Sequence, residues 1–261
     1  MVLGTKIAIQ TAGLRQPLPR SLQIAASLGA DAVEIDARLE LRPKELSQTA
    51  LRQFRKLLSD ANLRVAAVSF HTRRGYDVPD DLERRVDATR DAMRMAADLG
   101  AQVVVNRVGT VPEDQQSRGW FSLVEVLTDL GRAGERLGVR LAAQTGAEAG
   151  PRLATLLAAL PEGTIAVTLD PAALMLGGFS IDEALSALGP SLAHVYATDA
   201  ARDSGGRSVE TPLGLGAVDY PALLGGLQEY GYRGALSIGC RDAADPAEAL
   251  RDALGALRRF S

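Results

Sequence analysis

Short apolar segments alternate with longer segments of helical period along this chain. Eight apolar runs are typical of buried strands, and they are residues 6–10, 32–36, 65–70, 102–106, 140–144, 165–170, 192–199 and 235–240. Between them, as in residues 46–63 and 80–101, apolar residues recur every three or four positions opposite a charged face, which indicates amphipathic helices. Leu-Gly-Ala or Leu-Gly-Val follows at 28–30, 99–101 and 137–139, where glycine can end a helix in the left-handed conformation.

Eight strand–helix units, each of roughly 30 residues, predict an α/β fold and match a closed (β/α)₈ barrel. The length of 261 residues suits one such barrel. A doubly wound sheet has the same alternation, but no glycine-rich phosphate-binding motif follows the first strand. The sequence contains no linker or low-complexity tract, and we predict a single barrel domain over residues 1–261.

Composition and charge narrow the class of protein. The net charge of −3 argues against a nucleic-acid partner, which usually selects a basic surface. The single cysteine, Cys240, excludes an internal disulfide. No apolar run approaches the roughly 18 residues of a membrane span, and the N-terminal residues lack the regions of a signal peptide. We therefore expect a cytoplasmic protein with neither a membrane nor a nucleic-acid partner.

The longest predicted loop follows the seventh strand, at residues 197–220. Its Gly205-Gly206 pair and serines predict mobility and exposure. In a barrel this loop would overhang the carboxyl-terminal mouth, where ligands bind. A lid over the mouth and a disordered surface loop both fit the sequence.

Alternation of side chains across each strand predicts which residues point into the barrel. Near the carboxyl ends, the predicted inward residues are Glu34, Asp36, Ser69, His71, Val104, Asn106, Ala142, Gln144, Ala166, Thr168, Asp170, His194, Tyr196, Thr198, Ser237 and Gly239. Because the carboxyl ends of parallel strands meet at one mouth, these side chains predict a polar pocket there.

Two motifs near the C-terminus resemble a known family. They are Gly-x-Gly-x-Val-Asp-Tyr at 214–220 and Leu-x-x-x-Gly-Tyr-x-Gly-x-Leu-Ser-Ile at 227–238. With Leu-Asp-Pro at 169–171, they are similar to the xylose isomerase-like TIM barrels, a superfamily of sugar-phosphate isomerases, epimerases and endonuclease IV. The resemblance implies a (β/α)₈ barrel whose strand ends supply Glu, Asp, His and Glu to one divalent metal ion, which is Mn, Mg, Zn or Co.

This sequence departs from the family's metal ligands at three of the four matching positions. Gln144, Asp170, Tyr196 and Gly239 stand at those positions, so only the aspartate matches. A divalent ion needs several donors, and carboxylate charge dominates its affinity. An amide is uncharged and takes no proton near neutral pH. We therefore predict that the metal site is lost and that the protein carries no metal cofactor. Two histidines are also too few for an endonuclease IV-like site of three zinc ions.

Sugar isomerisation needs a base and an electrophile, which the family obtains from its glutamates and its metal. A replacement set could use Glu34, Asp36 or Asp170 as the base. His71, Arg107 or Tyr196 could donate a proton or bind the oxyanion, and the spacing singles out none of them. The candidate catalytic residues are Glu34, His71 and Asp170, and the candidate substrate-binding residues are Asn106, Arg107, Gln144, Tyr196 and Asp199.

Other polar residues have simpler interpretations. His194 lies deeper than Tyr196 in its strand and is predicted to be a hydrogen-bonded core histidine. Cys240 is out of phase with Ser237, so we expect a buried, inert thiol facing the helices. Five arginines follow strands or lie in the long loop and could bind a phosphate or a carboxylate, although arginine is abundant throughout the chain: Arg73, Arg74, Arg107, Arg207 and Arg241.

Two functions remain open from the sequence. One is an isomerase- or epimerase-like barrel that binds a small sugar or sugar phosphate, with weak or absent metal-dependent turnover. The other is a non-catalytic sugar-binding or partner subunit, a pseudoenzyme. The resemblance leaves enzyme activity undecided and makes a homodimer possible, because family members are frequently oligomers.

Overall fold

The computed structural model describes residues 6–240 and 243–260. The strands are β1 (Lys6–Gln10), β2 (Ala32–Asp36), β3 (Arg64–Ser69), β4 (Val103–Asn106), β5 (Arg140–Gln144), β6 (Ile165–Leu169), β7 (Leu192–Tyr196), β8 (Asp199–Arg202), β9 (Ser208–Thr211) and β10 (Ala235–Ile238). The α-helices are α1 (Leu18–Ser27), α2 (Gln48–Asp60), α3 (Leu82–Leu99), α4 (Arg118–Leu137), α5 (Gly150–Ala158), α6 (Pro171–Leu176), α7 (Ile181–Leu188), α8 (Tyr220–Glu229) and α9 (Pro246–Phe260). Among the described residues, no helix is long and apolar enough to cross a membrane.

Eight strands close into one parallel barrel. The order around it is β1, β10, β7, β6, β5, β4, β3 and β2, so neighbours along the chain are neighbours in the barrel except where the β8–β9 pair intervenes. This confirms the predicted (β/α)₈ fold. Every predicted strand is present, with its bounds shifted by at most a few residues.

Apart from Tyr196, the apolar side chains that fill the barrel interior are small. Ala67, Val103, Val105, Ala142, Ala166 and Tyr196 form one buried cluster. Ala8, Ala32 and Ala235 form another. The larger apolar residues lie outside the barrel, between strands and helices. Small residues in the interior leave room near the carboxyl ends for the longer polar side chains described below.

The predicted phase of β4 is wrong by one residue. Val103 and Val105 belong to the interior cluster, whereas Val104 packs among the helix-facing residues. Asn106 shares the phase of Val104 and Arg107 shares that of Val105, so Arg107 is the mouth residue of this strand. A run of three valines ending in Asn106, all four residues buried, carries no alternation from which the phase could be read.

The loop after β7 contains regular structure. Residues Asp199–Arg202 and Ser208–Thr211 pair as an antiparallel hairpin, with Asp199 opposite Thr211. The prediction of one strand over 192–199 is therefore wrong at its end, because β7 stops at Tyr196. A disordered loop is also the wrong description, although the hairpin tip around Gly205-Gly206 is exposed, as expected.

Glycine ends the predicted helices as expected. Gly29, Gly100 and Gly138 have φ angles of 74°, 77° and 66°. These left-handed conformations cost L-residues energy and are free of that cost in glycine. They turn the chain from a helix into the next strand.

Candidate functional site

The carboxylate of Glu34 lies at the centre of the mouth. The hydroxyl of Tyr196 donates to its Oε1 at 3.0 Å, and the hydroxyl of Ser237 donates to its Oε2 at 2.6 Å. Nε2 of His194 lies 3.2 Å from the same Oε2. Glu34 is only 3% exposed. Strands β2, β7 and β10 thus converge on one buried carboxylate.

The pKa of Glu34 lies below its ordinary value. Burial by itself would raise this pKa, but the contacts with His194 and Ser237 and the nearby His71 lower it further than burial raises it. Glu34 is therefore a carboxylate at neutral pH and a weak base. A buried carboxylate with donors on both oxygens is poorly placed to remove a proton from a ligand.

His194 is buried, as predicted, but it is not a hydrogen-bonded core residue. Neither ring nitrogen makes a well-aligned hydrogen bond among the described residues, although Nε2 faces Glu34. This nitrogen lies close enough to the Glu34 carboxylate to help lower the pKa of Glu34. The ring packs edge-on against Tyr196 with 4.8 Å between ring centres. This ring contact holds the tyrosine hydroxyl toward Glu34.

A second network runs through His71, Gln144 and Asp170. The amide of Gln144 donates from Nε2 to Oδ2 of Asp170 at 2.7 Å. Its oxygen lies 2.9 Å from Nε2 of His71, and because an amide oxygen only accepts, Nε2 of the imidazole must carry a proton. Gln144 therefore joins two titratable groups, His71 after β3 and Asp170 after β6, without carrying a charge itself.

Asp170 is occupied on its other side as well. Its Oδ1 accepts from the hydroxyl of Thr198 at 2.7 Å and from the backbone N–H of Ala173 at 3.1 Å. The second bond caps the N-terminus of α6, the position at which aspartate is favoured. Asp170 is 7% exposed. Both carboxylate oxygens thus have partners within the chain.

The donor set does not fit a divalent ion of the family's kind. Tyr196 and Gly239 stand where the family has a histidine and a glutamate, and the Tyr196 hydroxyl is turned to Glu34. The oxygens of Asp170 already accept three hydrogen bonds. In the described part of the chain, no three His, Cys, Asp or Glu side chains are grouped so that they could hold a metal.

Partly exposed polar groups surround this buried floor. They include Gln10 at the end of β1, His71 and Thr72 after β3, and the exposed Arg107 after β4. Burial lowers the pKa of His71, and the positive charge of Arg107 lowers it too, whereas Glu34 raises it. His71 is therefore neutral near pH 7. These groups are the ones that a ligand entering the mouth would reach first.

Two predicted substrate-binding residues have other partners. The amide oxygen of Asn106 accepts from the backbone of Thr72 at 3.0 Å, and its nitrogen donates to the buried hydroxyl of Tyr76 at 2.8 Å. Asp199 accepts from four backbone N–H groups, those of Ala200, Gly214, Gly216 and Val218. Both residues hold loops at the rim of the mouth.

Asp36 and Glu40 form an acidic pair beside Glu34. Oδ1 of Asp36 accepts from the backbone of Arg38 and Leu39, closing the turn after β2. Oε2 of Glu40 accepts from Thr11 at 2.8 Å and from the backbone of Asp36 at 2.9 Å, while its buried Oε1 has no partner among the described residues. Burial, with the nearby Asp36 and Glu34, raises the pKa of Glu40 to about 7.

The predicted arginines differ in their availability. Arg74 pairs with Asp80 at 2.8 Å, and Arg207 pairs with Asp203 at 3.4 Å within the hairpin. Arg73 and Arg107 are exposed, and Arg107 is the one in phase with the barrel interior. Arg241 lies outside the described residues.

Cys240 is buried, as expected, and packs with helix-facing residues. Burial raises the pKa of its thiol to about 11. The thiolate that a nucleophile requires is therefore scarce at neutral pH.

Two polar residues at the mouth, Gln10 and Glu40, are not among the residues predicted from the sequence to lie there. Gln10 ends the first predicted strand in the same phase as Ala8, so strand alternation could have placed it at the mouth. Glu40 follows β2 by four residues, and no periodicity marks a residue in a turn. Its position became clear only from the contacts with Thr11 and Asp36.

The closed parallel barrel of eight strands, with polar residues at its carboxyl-terminal mouth, defines a TIM barrel. The chain belongs to the xylose isomerase-like TIM barrel family, whose model matches residues 22–260. This confirms the resemblance drawn from the two C-terminal motifs. No protein of curated function matches the sequence.

Solved structures with the same fold include a xylose isomerase domain protein from Planctomyces limnophilus. It has a TM-score of 0.84 and 22% identity, over 98% of this chain and 96% of that one. A D-psicose 3-epimerase, crystallised in the presence of D-fructose, has a TM-score of 0.77 and 17% identity over 98% and 99%. A family protein from Mycobacterium smegmatis in complex with magnesium has a TM-score of 0.76 and 16% identity over 99% and 96%. At these identities the likeness shows the fold.

Proposed function

We propose that this protein binds a small carbohydrate at the carboxyl-terminal mouth of the barrel and does so without a divalent metal ion. The observation that carries the proposal is the position of Gln144. Its amide joins His71 to Asp170 at the place where the family has a ligand glutamate. The interaction that organises this part of the mouth is then a hydrogen-bonded amide and not a metal ion.

The chemistry of the rim supports a polyhydroxylated ligand. Gln10 and Thr72 supply uncharged donors and acceptors, and the neutral His71 supplies another. Sugar hydroxyls both donate and accept, so they match such groups well, and convergent polar groups in a concave site fix the ligand's orientation. Arg107 adds one cation, which would favour a phosphate or carboxylate substituent.

The hydrogen bonds around Glu34 and Asp170 favour ligand binding over catalytic turnover. The isomerases of this family remove a proton next to a carbonyl, which requires an accessible base. Glu34 and Asp170 are buried, and each accepts hydrogen bonds on both oxygens. This observation supports the second candidate function, a sugar-binding member of the family without isomerase activity.

A thermal-shift and calorimetry screen tests the proposal. The purified protein is first assayed for bound metal and then titrated with D-fructose, D-psicose and fructose 6-phosphate, in EDTA and in excess Mn²⁺. We expect a sugar to raise the Tm by the same amount in both buffers, because Tm shifts report ligand binding to the folded state. Stabilisation that appears only with Mn²⁺, or a stoichiometric metal in the purified protein, would contradict metal-independent binding.

Two variants test whether the sugar binds at the mouth of the barrel. His71→Ala and Gln144→Ala should weaken the binding of the sugar. Gln102→Ala is the matched control, because Gln102 is an exposed glutamine just before β4, at the opposite end of the barrel. An isomerisation assay on the same sugars separates the two candidate functions: turnover in EDTA would contradict a binding protein without activity.

We also propose a cytoplasmic location, a possible homodimer and no nucleic-acid partner. The net charge of −3 supports the last of these. Light scattering after size-exclusion chromatography measures the oligomeric state directly. A mass of one chain, 27.5 kDa, would contradict the dimer.

A further inference from the structure

The amide of Gln10 occupies space that a side chain at position 239 would need. A Cβ atom at Gly239 would lie 2.7 Å from Oε1 of Gln10 and 3.1 Å from its Cδ. A carbon atom cannot approach an oxygen this closely, so a side chain at 239 and the present position of Gln10 exclude each other. Gly239 is the position at which the sequence lacks the family's glutamate.

Among the residues that the structure describes, the Gln10 amide has no hydrogen-bond partner. Neither its oxygen nor its nitrogen makes a hydrogen bond within residues 6–240 and 243–260. This contrasts with Gln144, whose amide is used at both ends. Gln10 is partly exposed and lies in the inward phase of β1, in line with the buried Ala8. A donor and an acceptor are thus held together at the mouth with nothing in the described chain bound to them.

We propose that Gln10 contacts the ligand and determines specificity in place of the side chain missing at position 239. The inference rests on the proposed function and assigns one hydrogen-bonding subsite within it. An amide donates and accepts but carries no charge. It therefore selects a neutral pair of ligand groups, such as two adjacent hydroxyls or a hydroxyl next to a carbonyl. A ligand without adjacent polar groups leaves one end of the amide unpaired.

A double-mutant cycle between Gln10 and Gly239 tests the assignment. In the wild type, Gly239→Ala must displace the Gln10 amide, because the new Cβ would lie 2.7 Å from Oε1. If Gln10 contacts the ligand, Gly239→Ala and Gln10→Ala each raise the Kd for the sugar about three- to tenfold. In the Gln10→Ala background, Gly239→Ala should then have little further effect, since no amide remains to displace.

Control variants separate this effect from general damage. Gln102→Ala removes an exposed glutamine away from the mouth, and Gly225→Ala adds a Cβ in helix α8 with no atom within 4 Å of it. Both should leave the Kd unchanged. The probe is whichever of D-fructose and D-psicose binds the wild type in EDTA, and urea unfolding of each variant shows that it is folded.

The possible outcomes distinguish the two proposals. An unchanged Kd in Gln10→Ala overturns the role of Gln10 and leaves sugar binding intact. If the two substitutions affect the Kd independently and additively, Gly239→Ala does not act by displacing the Gln10 amide, and the proposed role of Gln10 is overturned. If neither sugar binds the wild type in EDTA, the proposed function fails, and the role of Gln10 fails with it. A raised Kd in both single variants, with coupling between them, supports both proposals.

Discussion

Nε2 of Gln144 donates a hydrogen bond of 2.7 Å to Oδ2 of Asp170. Because the amide is uncharged, it occupies this carboxylate oxygen without neutralising the charge of Asp170. In the family that this chain resembles, a glutamate at the position of Gln144 and the aspartate matching Asp170 bind the same metal ion. Two carboxylates at this distance would repel each other without a cation between them. The amide removes that repulsion, which supports the proposed ligand binding without a metal ion.

Gln144→Glu should restore the repulsion. We expect a loss of about 1–3 kcal/mol in the free energy of unfolding near neutral pH, because the hydrogen bond is replaced by two like charges. In the folded variant the pKa of the new carboxyl is raised, so the loss should shrink as the pH falls and the carboxyl keeps its proton. Urea unfolding at a series of pH values from neutral to acidic measures this loss, and Gln102→Glu, at an exposed position, is the control. An equal loss at every pH would contradict this account.

Tyr196→Phe should weaken the protein by leaving Oε1 of Glu34 without its hydroxyl donor. The expected cost is about 1–3 kcal/mol, as for other buried groups that lose a partner. Tyr230→Phe, whose exposed hydroxyl makes a longer bond of 3.4 Å, should cost much less. Chemical denaturation compares the two, and equal losses would argue that the hydroxyl of Tyr196 contributes little.

The lowered pKa of Glu34 predicts acid sensitivity. A carboxyl whose folded pKa lies below its unfolded value of 4.5 stabilises the fold above that value. This contribution is lost as the pH falls through the folded pKa. Glu34→Gln should remove this part of the acid dependence, which unfolding curves between neutral and acidic pH would show. An unchanged acid dependence in the variant would assign it to other carboxylates.

Glu40 predicts the opposite pH dependence. Its folded pKa is raised from 4.5 to about 7, so its contribution is fully present below 4.5 and is lost as the pH rises through about 7. Glu40→Gln should therefore be more stable than the wild type above neutral pH, by about 1–2 kcal/mol after allowance for partial exposure. Glu148, whose pKa is also raised to about 7, should keep part of the dependence in the variant. The Tm of each variant, measured below and above neutral pH, checks this prediction, and Glu45→Gln, at an exposed ion pair, is the control.

Asp199→Ala should release the hairpin from the barrel. The carboxylate accepts from four backbone N–H groups between Ala200 and Val218, and alanine accepts from none of them. We expect faster proteolysis near the exposed tip at 203–207, because a loosened segment opens more often. Asp182→Asn, on the exposed face of α7, should leave the cleavage rate unchanged. Equal cleavage of Asp199→Ala and the wild type would show that other contacts hold the hairpin.

The strands were predictable because each is a short run of Val, Ile, Ala and Leu between helices of clear period. It was harder to predict which side chains of a strand point into the barrel. In β2 and β6 the polar residues Glu34 and Thr168 mark the inward face, as does Asp170 just after β6, whereas Val103–Asn106 is buried on both sides and its predicted phase is wrong. An apolar run gives the position of a strand and carries no information about which face points inward.

The sequence by itself determined the barrel, the family and the residues at the positions where the family has metal ligands, because periodicity and short motifs are local properties of the chain. Only the tertiary structure decided what those residues do. It brought Tyr196 to Glu34 across 162 positions of sequence, joined His71 to Asp170 through Gln144, and placed Gln10 beside Gly239. Such contacts depend on closure of the barrel, which sets strands from distant parts of the chain side by side, and no local pattern records them.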